Sequence, residues 1–266
     1  MDILISIIFG IVEGITEWLP ISSTGHLILL EQFLSFNNVS ENFFDMFEVV
    51  IQFGAILAVV VMYWKNIFPF TNKNIMGMWG KILVACIPAA IIGLLFDDKI
   101  NELFYNPTVI AIALIVFGIA FIFIENWNKS RKAEPRVNDT LQITYRDALI
   151  IGLFQLIAAI FPGTSRSGAT IIGGLLIGLS RTTAAEFTFY LAIPVMFGAS
   201  LLKLVKFGLA FTGTELAILI VGMVAAFIVS VLVIKFLMNY IKKHDFKPFG
   251  WYRIVLGILV FAVLVF

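Results

Sequence analysis

Residues 13–26, EGITEWLPISSTGH, interrupt an apolar region that extends from residue 3 to residue 34. A second stretch, FPGTSRSGAT at residues 161–170, interrupts the apolar region 147–179 in the same way. Acids, prolines and runs of hydroxyl side chains are not typical of a plain membrane span, because lipid leaves polar groups unsatisfied. These two stretches therefore decide how the rest of the chain can be arranged.

The composition around them is that of a membrane protein. Of 266 residues, 61% are hydrophobic and 13% are charged, and the mean hydropathy is +1.02. Soluble domains carry about 45–50% apolar and about 25% charged residues. This excludes a soluble enzyme, a disordered chain and a nucleic-acid-binding domain, and the net charge of +1 indicates no polyanionic partner. The lone Cys86 excludes a disulfide framework and a cysteine-based metal cluster.

Six apolar stretches are long enough to cross a bilayer as helices, which takes about 20 residues. They are residues 44–64, 80–96, 107–125, 185–203, 214–238 and 250–266. Lysine and arginine concentrate in the segments 65–81, 127–147 and 235–253, which hold thirteen of the eighteen basic residues. Because such residues favour the cytoplasmic side, these three segments are predicted to be cytoplasmic and both termini to lie outside.

The two interrupted regions resemble each other at an offset of 142 residues. The matched pairs are Gly10 with Gly152, Glu13 with Gln155, Pro20 with Pro162 and Ser23 with Ser165. Each half holds one interrupted region and three spans, and since three is odd, the halves insert with opposite orientations. Each interrupted region must then return to the side from which it entered. We predict an all-α polytopic membrane protein with six transmembrane helices and two re-entrant helical hairpins in an inverted-topology repeat.

The chain is predicted to form one membrane domain, 1–266. Its two repeat halves cover about residues 1–126 and 147–266, and a cytoplasmic loop, 127–146, joins them. Inverted repeats with broken helices place their polar loops near the membrane midplane, at the interface between the repeats. The sequence therefore predicts one shared polar cavity, to which the two loops contribute from opposite sides.

Glu13 and Glu17 are the first candidates for chemistry in this cavity. They lie four residues apart and share one face of a helix, where they could bind a divalent cation or share a proton. The alternative is a surface helix with both acids in water. The first 48 residues contain seven acids and no lysine or arginine. The pair therefore needs a metal ion or a cation from the other half of the chain.

Arg166, in the second interruption, is the predicted partner of these acids. A loop rich in glycine, serine and threonine that opens a helix offers N–H groups and a positive helix end to an anion. Arginine adds a bidentate fork suited to phosphate. The alternative is a helix break in which Arg166 only satisfies backbone carbonyls. The residues of this loop expected to bind substrate are Gly163, Thr164, Ser165, Ser167 and Thr170.

In the first loop, His26 and Ser23 are the candidates for nucleophilic or acid–base chemistry. Ser22 and Thr24 are expected to contact the substrate. The alternative for His26 is a purely structural role. The other histidine, His244, lies in a basic segment and is expected to be a solvated bystander. Four polar residues at matched positions near the starts of two spans either support the site or only make the helix ends polar. They are Glu48, Gln52, Glu186 and Tyr190.

Together these motifs resemble those of the bacterial undecaprenyl pyrophosphate phosphatase, or bacitracin-resistance, family. The resemblance rests on the two acids, on PISSTGH at 20–26, FEVVIQFGAILAVVV at 47–61 and PGTSRSGAT at 162–170, and it covers nearly the whole chain. It implies a multi-pass enzyme of the bacterial inner membrane, with a site that opens outward. The enzyme would hydrolyse a C55 isoprenoid pyrophosphate to the monophosphate and recycle this carrier for cell-wall synthesis. The resemblance also implies dependence on a divalent cation, Mg²⁺ or Ca²⁺.

The resemblance carries over residue by residue to Glu13, Glu17, Ser23, His26, Ser165 and Arg166, with the two acids as the metal ligands. Ser23, His26 and water all remain open as the nucleophile. The expected partners are a polyprenyl pyrophosphate substrate and membrane lipid, without nucleic acid, and a homodimer is left open. A transporter or flippase of a phosphorylated lipid is the alternative, since such proteins share the inverted-repeat architecture. A phosphatidic-acid type of phosphatase is excluded, because only His244 remains for its second catalytic histidine.

Overall fold

A computed structural model of the chain describes residues 1–37, 39–131, 134–208 and 210–265. For Asp97, Asn101 and Arg131 it describes the backbone alone. Two residues of the predictions above lie outside the described residues: Lys132 of the basic segment 127–147, and Phe266 at the end of the last predicted span. The regular structure of the described ranges is helical, as predicted.

The helices are numbered in chain order. They are α1 (Asp2–Thr16), α2 (Ser23–Glu31), α3 (Phe43–Met62), α4 (Trp64–Ile67), α5 (Lys73–Phe104), α6 (Pro107–Arg131), α7 (Tyr145–Ile160), α8 (Arg166–Leu176), α9 (Arg181–Phe207), α10 (Gly213–Ile241) and α11 (Lys247–Leu264), with a 3₁₀ helix at Thr140–Gln142. Six of them, α3, α5, α6, α9, α10 and α11, are long and apolar enough to cross a membrane. The predicted number of spans is therefore confirmed among the described residues.

The predicted boundaries are wrong for α5, which is much longer than the apolar stretch 80–96. It continues from Lys73 to Phe104 and contains Pro88. Hydropathy detects only the part of a helix that lies in apolar surroundings, and polar residues at both ends of α5 conceal its full length. Polar groups also set the start of α10, where Thr212 and Glu215 form a capping box.

Glycines allow the helices α1 and α7 of the interrupted regions to pack closely against long helices. A Cβ atom at Gly10 of α1 would collide with the backbone carbonyl of Gly222 in α10. A Cβ atom at Gly152 of α7 would likewise collide with the carbonyl of Ala85 in α5. Such close backbone approaches are typical of helix packing in membranes. One face of α1 therefore packs closely on α10, and one face of α7 on α5. Because Glu13 and Glu17 are both buried, the alternative of a surface helix with both acids in water is wrong.

The short helices α2 and α8 begin with the same unusual cap. Ser22 and Ser165 precede them with φ of 75° and 69°. The hydroxyl oxygen of Ser22 accepts a hydrogen bond from the N–H of Gly25, and that of Ser165 accepts one from the N–H of Gly168. The two loops therefore present the first turns of their helices in the same way.

This shared geometry corrects one predicted pair. The offset of 142 residues matched Ser23 with Ser165, but the residue with the conformation of Ser165 is Ser22. The second loop has one more residue between its proline and its cap, and it includes Gly163 at φ +88°. A single inserted residue shifts the register without changing the composition of the loop, so the pattern of residue types could not reveal it.

Candidate active site

Glu17, directly after α1, is where the two loops meet. Its Oε1 accepts a hydrogen bond from Nη2 of Arg166 at 2.9 Å, and this contact is an ion pair. Its Oε2 accepts one from the hydroxyl of Ser23 at 3.0 Å. The hydroxyl of Ser167 donates to its backbone carbonyl at 2.9 Å. The cation that the acid pair needed from the other half of the chain is therefore Arg166, as predicted.

Glu13 lies one helical turn before Glu17, whose backbone N–H donates to the carbonyl oxygen of Glu13 at 3.0 Å. The Glu13 side chain is fully buried, and neither carboxylate oxygen has a hydrogen-bond partner among the described residues. An ionised carboxylate in this state is costly, because burial removes its water and nothing replaces it. Glu13 is therefore a group that a proton or a bound cation would satisfy.

A divalent cation fits this pair of acids in part. Carboxylate oxygens are the ligands that Mg²⁺ and Ca²⁺ prefer, and the unpartnered oxygens of Glu13 are free to serve. In the part of the chain that the structure describes, no group of three or more His, Cys, Asp and Glu side chains is placed to hold a metal. The chain could thus contribute two carboxylates, and phosphate oxygens and water would have to complete the coordination.

Arg166 begins α8, and its guanidinium is held from two sides. Nη1 donates to the carbonyl of Thr188 in α9 at 2.9 Å, while Nη2 binds Glu17. The guanidinium carbon lies 6.0 Å from the ring centroid of Trp18. Nε has no partner among the described residues. Arg166 is therefore oriented by the protein and keeps an unused donor for an anion.

The ring of His26 is fixed through both nitrogens. Nδ1 lies 2.7 Å from the carbonyl oxygen of Ser22, which can only accept, so Nδ1 carries the proton in this contact. Nε2 lies 2.7 Å from the hydroxyl of Tyr252, and the two rings stack with centroids 5.6 Å apart. Nε2 of neutral His26 is therefore an acceptor that Tyr252 holds. Tyr252 was missed in the sequence, where an aromatic residue at the start of a span looks like an interfacial anchor.

Most hydroxyls of the second loop are used within the protein. Thr170 donates to the carbonyl of Arg166 at 2.9 Å, and its oxygen lies 2.8 Å from the hydroxyl of Thr188. Ser165 caps α8, and Thr164 is fully buried with no hydrogen-bond partner for its hydroxyl among the described residues. The hydrogen bonds of Ser165 and Thr170 fix the first turn of α8, where Arg166 lies. Their contact with substrate stays a prediction.

A cavity of about 500 Å³ reaches Ser23 and Thr24 from the protein surface. Glu48 and Gln52 of α3 are part of its wall, together with Lys203 of α9. This volume is in the usual range for a small-molecule site. Of the four residues at matched positions, the cavity wall thus includes the pair from α3; the pair from α9, Glu186 and Tyr190, is not part of it.

Arg253 is a second residue near the loops whose contacts the sequence did not predict. It was counted in the cytoplasmic segment 235–253, but its side chain is fully buried well inside α11. A count of charges along the sequence cannot distinguish a cation at the end of a helix from one that the fold buries. Without Arg253, the prediction that this segment is cytoplasmic rests on four lysines. They are Lys235, Lys242, Lys243 and Lys247.

Comparison with known proteins identifies the family of the chain. A family model described as bacitracin resistance protein BacA matches residues 6–259. The chain is 65% identical to an undecaprenyl-diphosphatase of Desulfitobacterium hafniense, over 98% of this chain and 95% of the relative. It is 61% identical to undecaprenyl-diphosphatase 1 of Clostridium acetobutylicum, over 100% of this chain and 99% of the relative. It is also 59% identical to an undecaprenyl-diphosphatase of Enterococcus faecalis, over 99% of this chain and 97% of the relative. The chain belongs to the bacitracin resistance protein BacA family.

Proposed function

We propose that this multi-pass membrane protein hydrolyses undecaprenyl pyrophosphate to undecaprenyl phosphate and inorganic phosphate. It thereby recycles the lipid carrier of cell-wall synthesis and confers bacitracin resistance. The observation that carries the proposal is the contact of Glu17 with both Arg166 and Ser23, which joins an acid motif to an anion-binding loop. The names of the full-length relatives support the choice of substrate.

The contacts of the site support a role for each side chain. Arg166 binds an oxygen of the phosphoryl group that is transferred, and stabilises the negative charge that develops on it. Glu17 can accept a proton from Ser23, whose hydroxyl already donates to it at 3.0 Å. Nε2 of His26 is an acceptor that could attack phosphorus or remove a proton from water once the hydroxyl of Tyr252 releases it. The nucleophile is therefore Ser23, His26 or water.

A divalent cation is part of the proposal. Glu13 and Glu17 would hold it, and the unpartnered carboxylate of Glu13 supports this assignment. When bound, Mg²⁺ or Ca²⁺ would supply positive charge that stabilises a phosphoryl group in the transition state. Arg166 would bind pyrophosphate oxygens in place of Glu17, which leaves Glu17 free to accept a proton or bind the cation.

The proposed fold in the membrane is an inverted repeat with α1–α2 and α7–α8 as its re-entrant hairpins. The helix contacts support it when α1, α2, α3, α5 and α6 are matched with α7, α8, α9, α10 and α11. Helix α1 packs on α10 as α7 packs on α5, and α3 packs on α10 as α9 packs on α5. Helix α2 contacts α11 as α8 contacts α6. Exchanging the halves thus maps each of these contacts onto another, as expected for repeats related by a two-fold axis.

In this arrangement the site opens outward and residues 127–146 are cytoplasmic. A cysteine at the exposed position Asn138, in a chain with Cys86 removed, is expected to resist a membrane-impermeant thiol reagent in intact cells. It should react once the cells are permeabilised. A cysteine at exposed Ser35 is the control, and is expected to react without permeabilisation. Reaction at Asn138 in intact cells, with protection of Ser35, would reverse the proposed orientation.

Phosphate release by the purified protein tests the proposed activity. With undecaprenyl pyrophosphate as substrate, we expect one inorganic phosphate for each lipid consumed. Release should fall when a chelator is added and return with excess Mg²⁺ or Ca²⁺. A transporter of phosphorylated lipids would release none, so a folded protein without phosphate release would overturn the phosphatase. Release that is insensitive to chelator would remove only the metal from the proposal.

A further inference from the structure

Arg253 is a fully buried cation with no ion pair among the described residues. It donates hydrogen bonds to backbone carbonyls instead. Nη1 binds the carbonyl of Pro20 at 3.2 Å, and Nη2 binds those of Gly163 at 3.0 Å and Thr164 at 2.7 Å. Pro20 belongs to the loop before α2, and Gly163 and Thr164 belong to the loop before α8. One side chain of α11 therefore joins both loops of the active site.

These carbonyls need a donor. They lie in the loops after α1 and α7, beyond the helical hydrogen-bond pattern, and a buried backbone carbonyl without a partner is costly. At the depth of the proposed re-entrant loops, no bulk water can replace those partners. The planar guanidinium offers several donors in a fixed geometry. Arg253 can thus hold three carbonyls from two loops at a defined separation, which a flexible single ammonium group could not do.

The carbonyls that Arg253 binds lie next to the reactive groups. Thr164 directly precedes the cap of α8, and Pro20 lies two residues before the cap of α2. Nη1 of Arg253 also lies only 3.2 Å from where a Cβ atom would stand on Gly168, in the first turn of α8. The neighbouring Tyr252 holds Nε2 of His26 at 2.7 Å. A shift of Arg253 would therefore move Ser23 and Arg166 relative to each other.

The charge of Arg253 is also unusual for a residue that only satisfies carbonyls. A buried cation without a carboxylate partner carries a desolvation penalty that neutral donors avoid. Its positive charge stays uncompensated beside the site, where an anionic substrate would be attracted to it. The hydrogen bonds of Arg253 and its charge thus both favour a role at the active site.

We propose that Arg253 is a positioning residue of the phosphatase. This role rests on the proposed function. It holds the loop of Ser23 and His26 and the loop of Arg166 at the separation that brings both onto one pyrophosphate. Its charge adds to the attraction of the pyrophosphate group. Displacements of about 1 Å in such a site can lower the rate about 100-fold, so the effect on kcat should be at least about tenfold.

The test compares Arg253→Met and Arg253→Lys with wild type, by kcat and KM per folded molecule. Folded protein is measured by thermal unfolding and gel filtration in detergent. Arg253→Met is expected to lower kcat at least about tenfold and to raise KM. Arg253→Lys keeps the charge but cannot bridge both loops, so KM should return towards wild type while kcat stays low. A merely structural residue would lower the amount of folded protein and leave both constants of the folded fraction unchanged.

Arg181→Met is the matched control. Arg181 binds the buried Glu125 through Nε at 2.9 Å and Nη2 at 2.6 Å, and joins α9 to α6 away from both loops. Its replacement should lower stability and leave kcat per folded molecule unchanged. Wild-type kcat in folded Arg253→Lys would overturn the positioning role alone, even if Arg253→Met failed to fold. Absence of phosphate release by the wild type would instead overturn the phosphatase, and this role with it.

Discussion

Arg166→Ala is expected to lower kcat/KM for pyrophosphate hydrolysis at least about 100-fold. The removal of one group that stabilises developing negative charge typically costs about 10²–10³ in kcat, and arginines that serve phosphoryl transfer reach higher values. The change also removes the donor that pairs with Glu17 at 2.9 Å. The loss should therefore appear in kcat as well as in KM, measured as phosphate release per folded molecule.

Arg166→Lys distinguishes the charge of this residue from its shape. Lysine keeps the charge, but its single ammonium group cannot bind the carbonyl of Thr188 and a phosphate with the same fork geometry. We expect only part of the lost activity to return. The control is Arg136→Ala, since Arg136 also pairs with a buried acid, Asp147, at 2.7 Å. That pair lies at the start of α7, about 20 Å along the helix from the active-site loop.

Arg136→Ala should therefore keep wild-type kcat/KM. Normal kcat/KM per folded Arg166→Ala molecule would contradict the assignment of its loop to the active site. It would leave Arg166 with the alternative role of satisfying backbone carbonyls, as it does for Thr188. Thermal unfolding in detergent, measured on the same samples, separates this outcome from a simple loss of folded protein.

The part of the site that could be predicted from the sequence consists of groups that lipid tolerates poorly. Glu13, Glu17 and Arg166 are conspicuous because charged residues are rare in apolar segments. The early acids have no basic residue near them in the sequence, so a neutralising side chain has to come from the other half of the chain. The ion pair between Glu17 and Arg166 follows from that reasoning and is present in the structure.

The parts that could not be predicted depend on tertiary packing. Arg253 and Tyr252 reach the loops only because α11 packs against α6 and α2. Nothing near them in the sequence indicates that contact, and a basic residue at the start of an apolar span is typical of a cytoplasmic boundary. The state of Glu13 could not be predicted either, because absence of a partner is a property of the packed site. The motif gives no reason to distinguish the two acids, whereas in the described part of the chain Glu17 has an ion pair and the Glu13 carboxylate has no hydrogen-bond partner.

This difference makes Glu13→Gln the sharpest test of the proposed metal site. Glu17 already binds Arg166 and Ser23, so its replacement would disturb several contacts at once. Within the described ranges, the side chain of Glu13 has no hydrogen bond to lose. The amide keeps the size of the side chain but removes the charge that a hard cation requires. We expect kcat to fall at least about 100-fold, as for loss of one group that stabilises the transition state.

The metal concentration for half-maximal activity should rise at least about tenfold in Glu13→Gln, since even loss of a supporting group around a metal costs about 10–100-fold in affinity. Stability gives a second readout. Without metal, the Tm should equal or exceed that of wild type, because a buried carboxylate without partners has been removed. Added Mg²⁺ or Ca²⁺ should raise the Tm of wild type and not of the variant, since a ligand stabilises only the folded state that binds it.

Glu215→Gln is the matched control for Glu13→Gln. Glu215 is also fully buried, but its carboxylate accepts hydrogen bonds from the backbone N–H groups of Ser40 at 2.7 Å and Thr212 at 2.8 Å. Its replacement should lower the Tm and leave the metal dependence of phosphate release unchanged. Replacement of Glu215 is thus expected to lower the Tm, whereas replacement of Glu13 is expected to leave it unchanged or raise it. A Glu13→Gln protein with a lower Tm and the metal dependence of wild type would make Glu13 a structural residue, and would remove the cation from this pair of acids.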